Sequence, residues 1–120
     1  MDCLFCKIGN KEIPSKVIYE DDLVLVLLDI NPVSCGHTLI IPKKHFQDID
    51  DIDDDTYLHI FKIDNEFKAK LIYSLNCDGI KLVQNNGACQ DILHYHLHLI
   101  PYYINSKKLD LDEVYEKIVQ

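Results

Sequence analysis

Apolar residues change period along the chain, and each period predicts an element. Ile60, Ile63, Phe67, Leu71 and Leu75 recur every three or four residues, with Tyr57, Phe61 and Ile72 widening the stripe. That spacing predicts one long amphipathic helix over about Asp54 to Leu75. Asp53, Asp54 and Asp55 suit its start, where carboxylates cap free N–H groups and oppose the helix dipole. Asn76 to Gly79 suits its end. Elsewhere the apolar positions come in short runs. Lys16–Glu20 and Leu23–Asp29 predict two strands joined by a turn at Asp21-Asp22. His37–Pro42 predicts a third strand, Ile80–Asn85 a fourth and His94–Ile100 a fifth, while Cys3–Gly9 suits a short helical turn. Five strands with mostly short connections and one long helix predict an α+β fold with a mainly antiparallel sheet, in one domain over residues 1–120.

Charge narrows the partners. All 12 basic residues are lysine, and with 20 acidic residues the formal net charge is −8. Such a chain lacks the basic footprint of a nucleic-acid or membrane-surface protein. A small anionic ligand remains compatible, because backbone N–H groups and imidazoles hold phosphate inside acidic proteins. The opening Met1-Asp2-Cys3-Leu4-Phe5-Cys6-Lys7 has no signal-peptide core, and no apolar run is long enough for a bilayer span. The longest run, Leu23 to Leu28, has strand length. Five cysteines without a secretion signal suit a reducing cytoplasm, with Cys35, Cys77 and Cys89 read as plain thiols. The acidic run Asp48–Asp55 reads as helix capping, since the spaced Gly and closing Glu of a calcium loop are missing.

The chemistry concentrates in His94-Tyr95-His96-Leu97-His98-Leu99-Ile100. Alternation in a strand points three imidazoles to one face and Tyr95, Leu97 and Leu99 to the other. One satisfied histidine is ordinary; three in alternation are not. Two chemistries use such a row. Imidazoles about 6.5 Å apart along a strand can converge on one metal ion. Alternatively, one neutral imidazole attacks an electrophile while a neighbour donates a proton, which a pKa near 6.5 permits at neutral pH.

His-x-His-x-His followed by two apolar residues resembles the signature of the histidine triad family. So do three further blocks: Asp29-Ile30-Asn31-Pro32-Val33 leading into Gly36-His37-Thr38-Leu39-Ile40-Ile41-Pro42-Lys43-Lys44-His45, then Asn85-Asn86-Gly87-Ala88, and Cys3-Leu4-Phe5-Cys6-Lys7-Ile8, the last typical of the microbial branch. The resemblance spans about residues 3 to 101. Two features depart from the family pattern. The run Asn86-Gly87-Ala88-Cys89-Gln90 is about two residues short and lacks a second Gly, and Tyr102 stands where a basic residue commonly follows Ile-Pro.

The resemblance implies a nucleotide-binding hydrolase that cleaves at the α-phosphorus of adenosine 5′-phosphoramidate-type substrates. His96 is the implied nucleophile, forming a nucleotidyl-histidine that water resolves to a nucleoside monophosphate. His98 would contact phosphate, His37 would complete the hydrogen-bonded array, and Asp91 would assist the leaving group. Asp29 is implied to hold the ribose hydroxyls, for which a carboxylate is the natural acceptor. Asn85 is implied as a sugar or phosphate contact, and Gln90 belongs to a segment that touches the phosphate. Cys3-x-x-Cys6 alone is a weak redox signal. Together with His45 and His94 it matches the closed Cys₂His₂ structural zinc site that some branches carry, with no metal needed for the chemistry. The resemblance also implies a homodimer that pairs through the long helix and an edge strand into one continuous sheet. The same site could serve dinucleoside polyphosphate hydrolysis or nucleotidyl transfer, and a nucleotide-binding module with little turnover is the reading of another class.

Overall fold

The computed structural model describes residues 3–120; Met1 and Asp2, which open the stretch read above as leaderless, lie outside the described residues. The elements run α1 (Leu4–Gly9), β1 (Val17–Glu20), β2 (Val24–Leu28), β3 (Thr38–Pro42), α2 (Asp54–Leu75), β4 (Gly79–Val83), β5 (Leu97–Tyr102) and α3 (Leu111–Val119), with one 3₁₀ turn at Gly87–Cys89. The five strands form one antiparallel sheet in the order β1-β2-β3-β5-β4. Among the described residues, no helix is long and apolar enough to cross a membrane.

The sheet has two covered faces, and alternation assigns the side chains to them. Val24, Val26, Leu28, Ile40, Leu97 and Leu99 face α2 and α3, meeting Ile60, Ile63, Phe67, Leu71, Leu75, Val114 and Ile118. Leu25, Leu27, Leu39 and Ile41 face the other way, onto Phe5 and Ile8 of α1. β2 and β3 are therefore buried on both faces and read as unbroken apolar runs. Each fully buried Leu or Ile contributes about 1.5–3 kcal/mol relative to exposure, so the two layers fix the sheet firmly.

The long helix has the expected bounds, Asp54–Leu75. Its first turn is capped by Asp53, whose carboxylate accepts from the Thr56 amide at 3.0 Å. At its end Asn76 adopts a left-handed conformation (φ 54°), and Lys107 Nζ donates to the Leu75 carbonyl at 2.7 Å.

Three expectations are corrected. The fifth strand runs Leu97–Tyr102, not His94–Ile100. Its partner β3 pairs only Thr38–Ile40 with Leu99–Leu97. Upstream, the chain bends through His94 N–H to Ile92 O at 2.8 Å and Tyr95 N–H to Phe46 O at 2.7 Å, so His94 and His96 precede the ladder. The fourth strand is Gly79–Val83, not Ile80–Asn85, because β5 offers no partner beyond His98. The third is α3, which was not expected. Its Asp110–Glu113 capping box and the apolar positions Leu111, Val114, Tyr115 and Ile118 specify it.

Candidate active site and metal cluster

Three segments converge on the α1 side of the sheet. β2 ends at Leu28 and the chain loops through Asp29–Val33 to Gly36, which takes φ 89°. A Cβ there would overlap Leu75 Cδ1 and lie 3.3 Å from Pro101 Cγ, so the position admits only glycine. The loop is closed by Asp29 N–H to His37 O at 3.0 Å and tied to β5 by Ser34 Oγ donating to Pro101 O at 2.6 Å. This closure sets the Asp29 carboxylate 3.7 Å from His37 Nε2.

Backbone groups fix the histidine tautomers one after another. The Val33 amide donates to His37 Nδ1 at 3.0 Å, so the proton of neutral His37 sits on Nε2. That N–H then donates to His98 Nδ1 at 2.9 Å, which leaves His98 with its proton on Nε2. His96 Nδ1–H donates to the His94 carbonyl at 2.7 Å, which leaves His96 Nε2 as an unprotonated lone pair. His96 and His98 are neighbours, their ring centroids 4.8 Å apart. The site thus pairs a nucleophilic nitrogen with an N–H donor, the combination that attack at phosphorus requires.

Burial keeps these rings neutral. It pushes the His96 pKa below the usual value, against the pull of the His94 carbonyl, Asp29 and Asp91. Burial, then the neighbouring His96 and His37, brings His98 down to about 4. His37 is lowered by burial, partly offset by Asp29.

His37, His96 and His98 open onto a cavity of about 440 Å³ with Asp29 and Asp91, opposite an apolar wall that includes Phe5, Ile8 and Leu27. Its size and its few convergent polar groups on an apolar lining are those of a small-molecule site. Asn85 and Gln90 do not line it. Gln90 is turned into its own loop, accepting from Gly87 N–H at 2.9 Å and donating to Gln47 O at 2.7 Å.

The remaining triad histidine belongs elsewhere. His94 is fully buried, and its Nε2–H donates to the Pro42 carbonyl at 2.8 Å. Its Nδ1 lone pair therefore faces Cys3 Sγ at 3.3 Å and Cys6 Sγ at 3.6 Å. His45 Nδ1 lies 3.4 Å from Cys6 Sγ. All four ligand atoms lie within 4.8 Å of one another. Across a tetrahedral zinc with bonds of about 2.3 Å to sulfur and 2.0–2.1 Å to nitrogen, S and N stand about 3.6 Å apart. The donor set fits zinc in type and spacing, and the Pro42 carbonyl orients one ligand as an outer-shell acceptor should. Burial and the adjacent Cys3 thiol push the Cys6 thiol up to about 11, so Cys6 stays protonated at neutral pH unless a bound cation displaces its proton.

Asp29, His37 and His98 form a second close group. There the Val33 amide commits His37 Nε2 to carrying a proton, and that proton lies in the bond to His98. This trio is a hydrogen-bonded chain and not a ligand set.

The HIT domain model matches residues 10–105. An uncharacterized HIT-like protein of Methanocaldococcus jannaschii is 43% identical, covering 97% of this chain and 98% of its own. The adenosine 5′-monophosphoramidase of Saccharomyces cerevisiae is 40% identical over 82% of this chain and 61% of its own. Among solved structures, a zinc-bound histidine triad family protein from Mycobacterium smegmatis superposes with a TM-score of 0.91 at 31% identity, covering 99% of this chain and 91% of that one.

Proposed function

This chain belongs to the histidine triad (HIT domain) family, and on that premise we propose that it hydrolyses adenosine 5′-phosphoramidate-type substrates through a nucleotidyl-histidine on His96. The observation that carries the reading is the tautomer order. His96 Nδ1–H is held by the His94 carbonyl and His98 Nδ1 by His37, so an attacking nitrogen and a donating N–H stand side by side in one cavity. The yeast relative's name, a monophosphoramidase, supports this leaving-group class.

In the proposed reaction His96 Nε2 forms a bond to the α-phosphorus as the P–N bond to the amine breaks. The bonding pair leaves with the amine, which takes up a proton with help from Asp91. His98 Nε2–H donates to the phosphoryl oxygens, where negative charge builds up. Water then cleaves the P–N bond to His96 and releases the nucleoside monophosphate. Asp29 accepts the ribose hydroxyls. The family resemblance assigns Asn85 and Gln90 to sugar or phosphate contact, but neither lines the cavity and Gln90 is held by Gly87 and Gln47. Zinc on Cys3, Cys6, His45 and His94 would supply a rigid tetrahedral crosslink and no chemistry at phosphorus. The protein works in the cytoplasm as a homodimer. The unpaired edge of β4, with Leu82 exposed, and the exposed Leu58 and Ile72 of α2 supply the apolar surface that pairing covers.

The test is a turnover panel of an adenosine 5′-phosphoramidate, a dinucleoside polyphosphate and a nucleotidyl-transfer acceptor, with acid quenching to trap the adduct. Release of AMP from the phosphoramidate and a nucleotidyl group mapped to His96 are expected. An adduct on another residue would overturn the assignment. Tight AMP binding with no turnover of any substrate would favour the binding-module reading.

A further inference from the structure

His94 makes a directed contact at each of three points. Its ring Nδ1 faces Cys3 and Cys6, its ring Nε2–H is anchored on Pro42, and its main-chain carbonyl holds His96 Nδ1–H. One residue therefore joins the ligand set to the nucleophile. A second link runs through α1. Cys3 and Cys6 bracket Phe5, whose buried ring packs edge-on against both His94 (centroids 5.8 Å apart) and His96 (4.9 Å). Phe5 and Ile8 also form part of the nucleotide cavity's wall. α1 has only six residues, far too few to be helical without tertiary support. Its support is the apolar contact of Phe5 and Ile8 and the pair of cysteines.

The ligand set is also reachable. Cys3 and His45 border a second cavity of about 500 Å³, beside Gln47 and Leu93. This cavity shares Leu4, Asp91 and Ile92 with the nucleotide cavity. Cys6 and His45 are only partly buried, while Cys3 and His94 are buried, so an ion has a way in past two of its ligands.

We propose that Cys3, Cys6, His45 and His94 form a regulatory site for a zinc-like divalent ion, whose occupancy controls nucleotide binding by docking α1 and fixing His94. The proposal rests on the nucleotide-hydrolase reading for its output. His94 and Phe5 act as positioning residues: neither touches the reacting atoms, and both set the pose of His96. Loss of the ion leaves two thiols and two imidazoles held by weak S–H contacts, so the wall carried by α1 loosens and the cavity loses its shape.

The test compares full-length protein loaded with zinc, stripped with a chelator and then reloaded. AMP affinity is measured by calorimetry, and the His96 ring tautomer by ¹⁵N correlation spectra without nucleotide. Stripping is expected to weaken AMP binding by about 5–150-fold, the usual size of a coupling between two sites, and reloading to restore it. His96 is expected to show a single Nδ1–H tautomer when loaded and a mixture when stripped. Cys6→Ser should shift the zinc response to higher zinc while leaving zinc-saturated AMP affinity near wild type. Unchanged AMP affinity and an unchanged tautomer in a folded, stripped protein would overturn the proposal. If the stripped protein unfolds, zinc-loaded Phe5→Leu decides instead: weaker AMP binding with a mixed tautomer supports the coupling, and wild-type values overturn it. Failure of loaded protein to bind AMP would refute the nucleotide reading, while the tautomer comparison still decides whether zinc reaches His96.

Discussion

The Nε2–H of His37 donates to His98 Nδ1 over 2.9 Å, and its direction is fixed by the Val33 amide on the opposite side of the His37 ring. The order of this chain matters more than its length. Reversed, it would turn the unprotonated nitrogen of His98 toward the phosphate, and like would face like. His37→Ala is therefore expected to lower kcat for an adenosine phosphoramidate by about 10-fold, the equivalent of one neutral hydrogen bond of about 0.5–1.5 kcal/mol, with a smaller change in KM. His37→Gln, whose amide can still donate to His98, should recover part of the loss. Steady-state kinetics on both variants check this, and wild-type kcat in His37→Ala would remove His37 from the relay.

Asp29 divides its carboxylate. Oδ1 accepts the Asn31 amide at 2.8 Å, while Oδ2 points toward His37 and the cavity. Asp29→Ala should weaken ribonucleotide binding far more than binding of the 2′,3′-dideoxy analogue. Hydrogen bonds to a charged group contribute about 1.5–3 kcal/mol each. Calorimetry with both ligands measures the difference. Equal losses would reduce Asp29 to a turn residue.

Gly36 is the tightest point of the site. Its φ of 89° and the overlap of any Cβ with Leu75 Cδ1 lead to the expectation that Gly36→Ala destabilises by about 2–4 kcal/mol, combining a left-handed non-glycine with overpacking. Denaturant unfolding reads this directly. A loss below about 1 kcal/mol, the size of an ordinary mutation, would mean that the loop and α2 move apart freely.

Away from the site, Asp21 ties the β1–β2 turn to α2. Burial alone would raise its pKa, but hydrogen bonds from His59, Tyr19 and the Val24 and Leu23 amides outweigh that and bring it down to about 2. A carboxylate depressed on folding contributes stability above its unfolded pKa, and that contribution disappears as pH falls through the folded value. Asp21→Asn should therefore cost about 2 kcal/mol at neutral pH. The cost should shrink below about pH 4 and vanish near pH 2. Urea unfolding of both proteins across that range checks it, and a pH-independent difference would contradict the assignment.

Local rules specify the long helix completely: an apolar stripe, Asp53 at one end and Asn76 at the other. The same kind of signal lay in Asp110–Ile118, but a short element after a polar stretch is easily passed over. The start of β5 was out of reach of local reading, because its ladder begins only where β3 ends. The site divides similarly. Alternation in His94–His98 and the family resemblance single out the candidate side chains, two of which share the cavity while His94 joins the cysteines. Their tautomers depend on the Pro42 carbonyl, the His94 carbonyl and the Val33 amide, and no side-chain pattern encodes those. Gln90 shows the converse: its place near the triad in sequence did not prevent its loop from turning it toward Gln47.

His98 stands opposite Leu39 on one side and Val83 on the other, in the middle of the sheet. Side chains alternate with period two, so a slip of β5 by one residue would bury His98 beneath α2 and turn Leu97 and Leu99 into the histidine-lined cavity. A misthreaded molecule would be inactive as well as unstable, with no compromise state between. Turnover in the proposed reaction would thus double as a proofreading signal for the sheet's assembly. A library of core variants sorted by the proposed phosphoramidase activity would at the same time be sorted for correctly threaded chains.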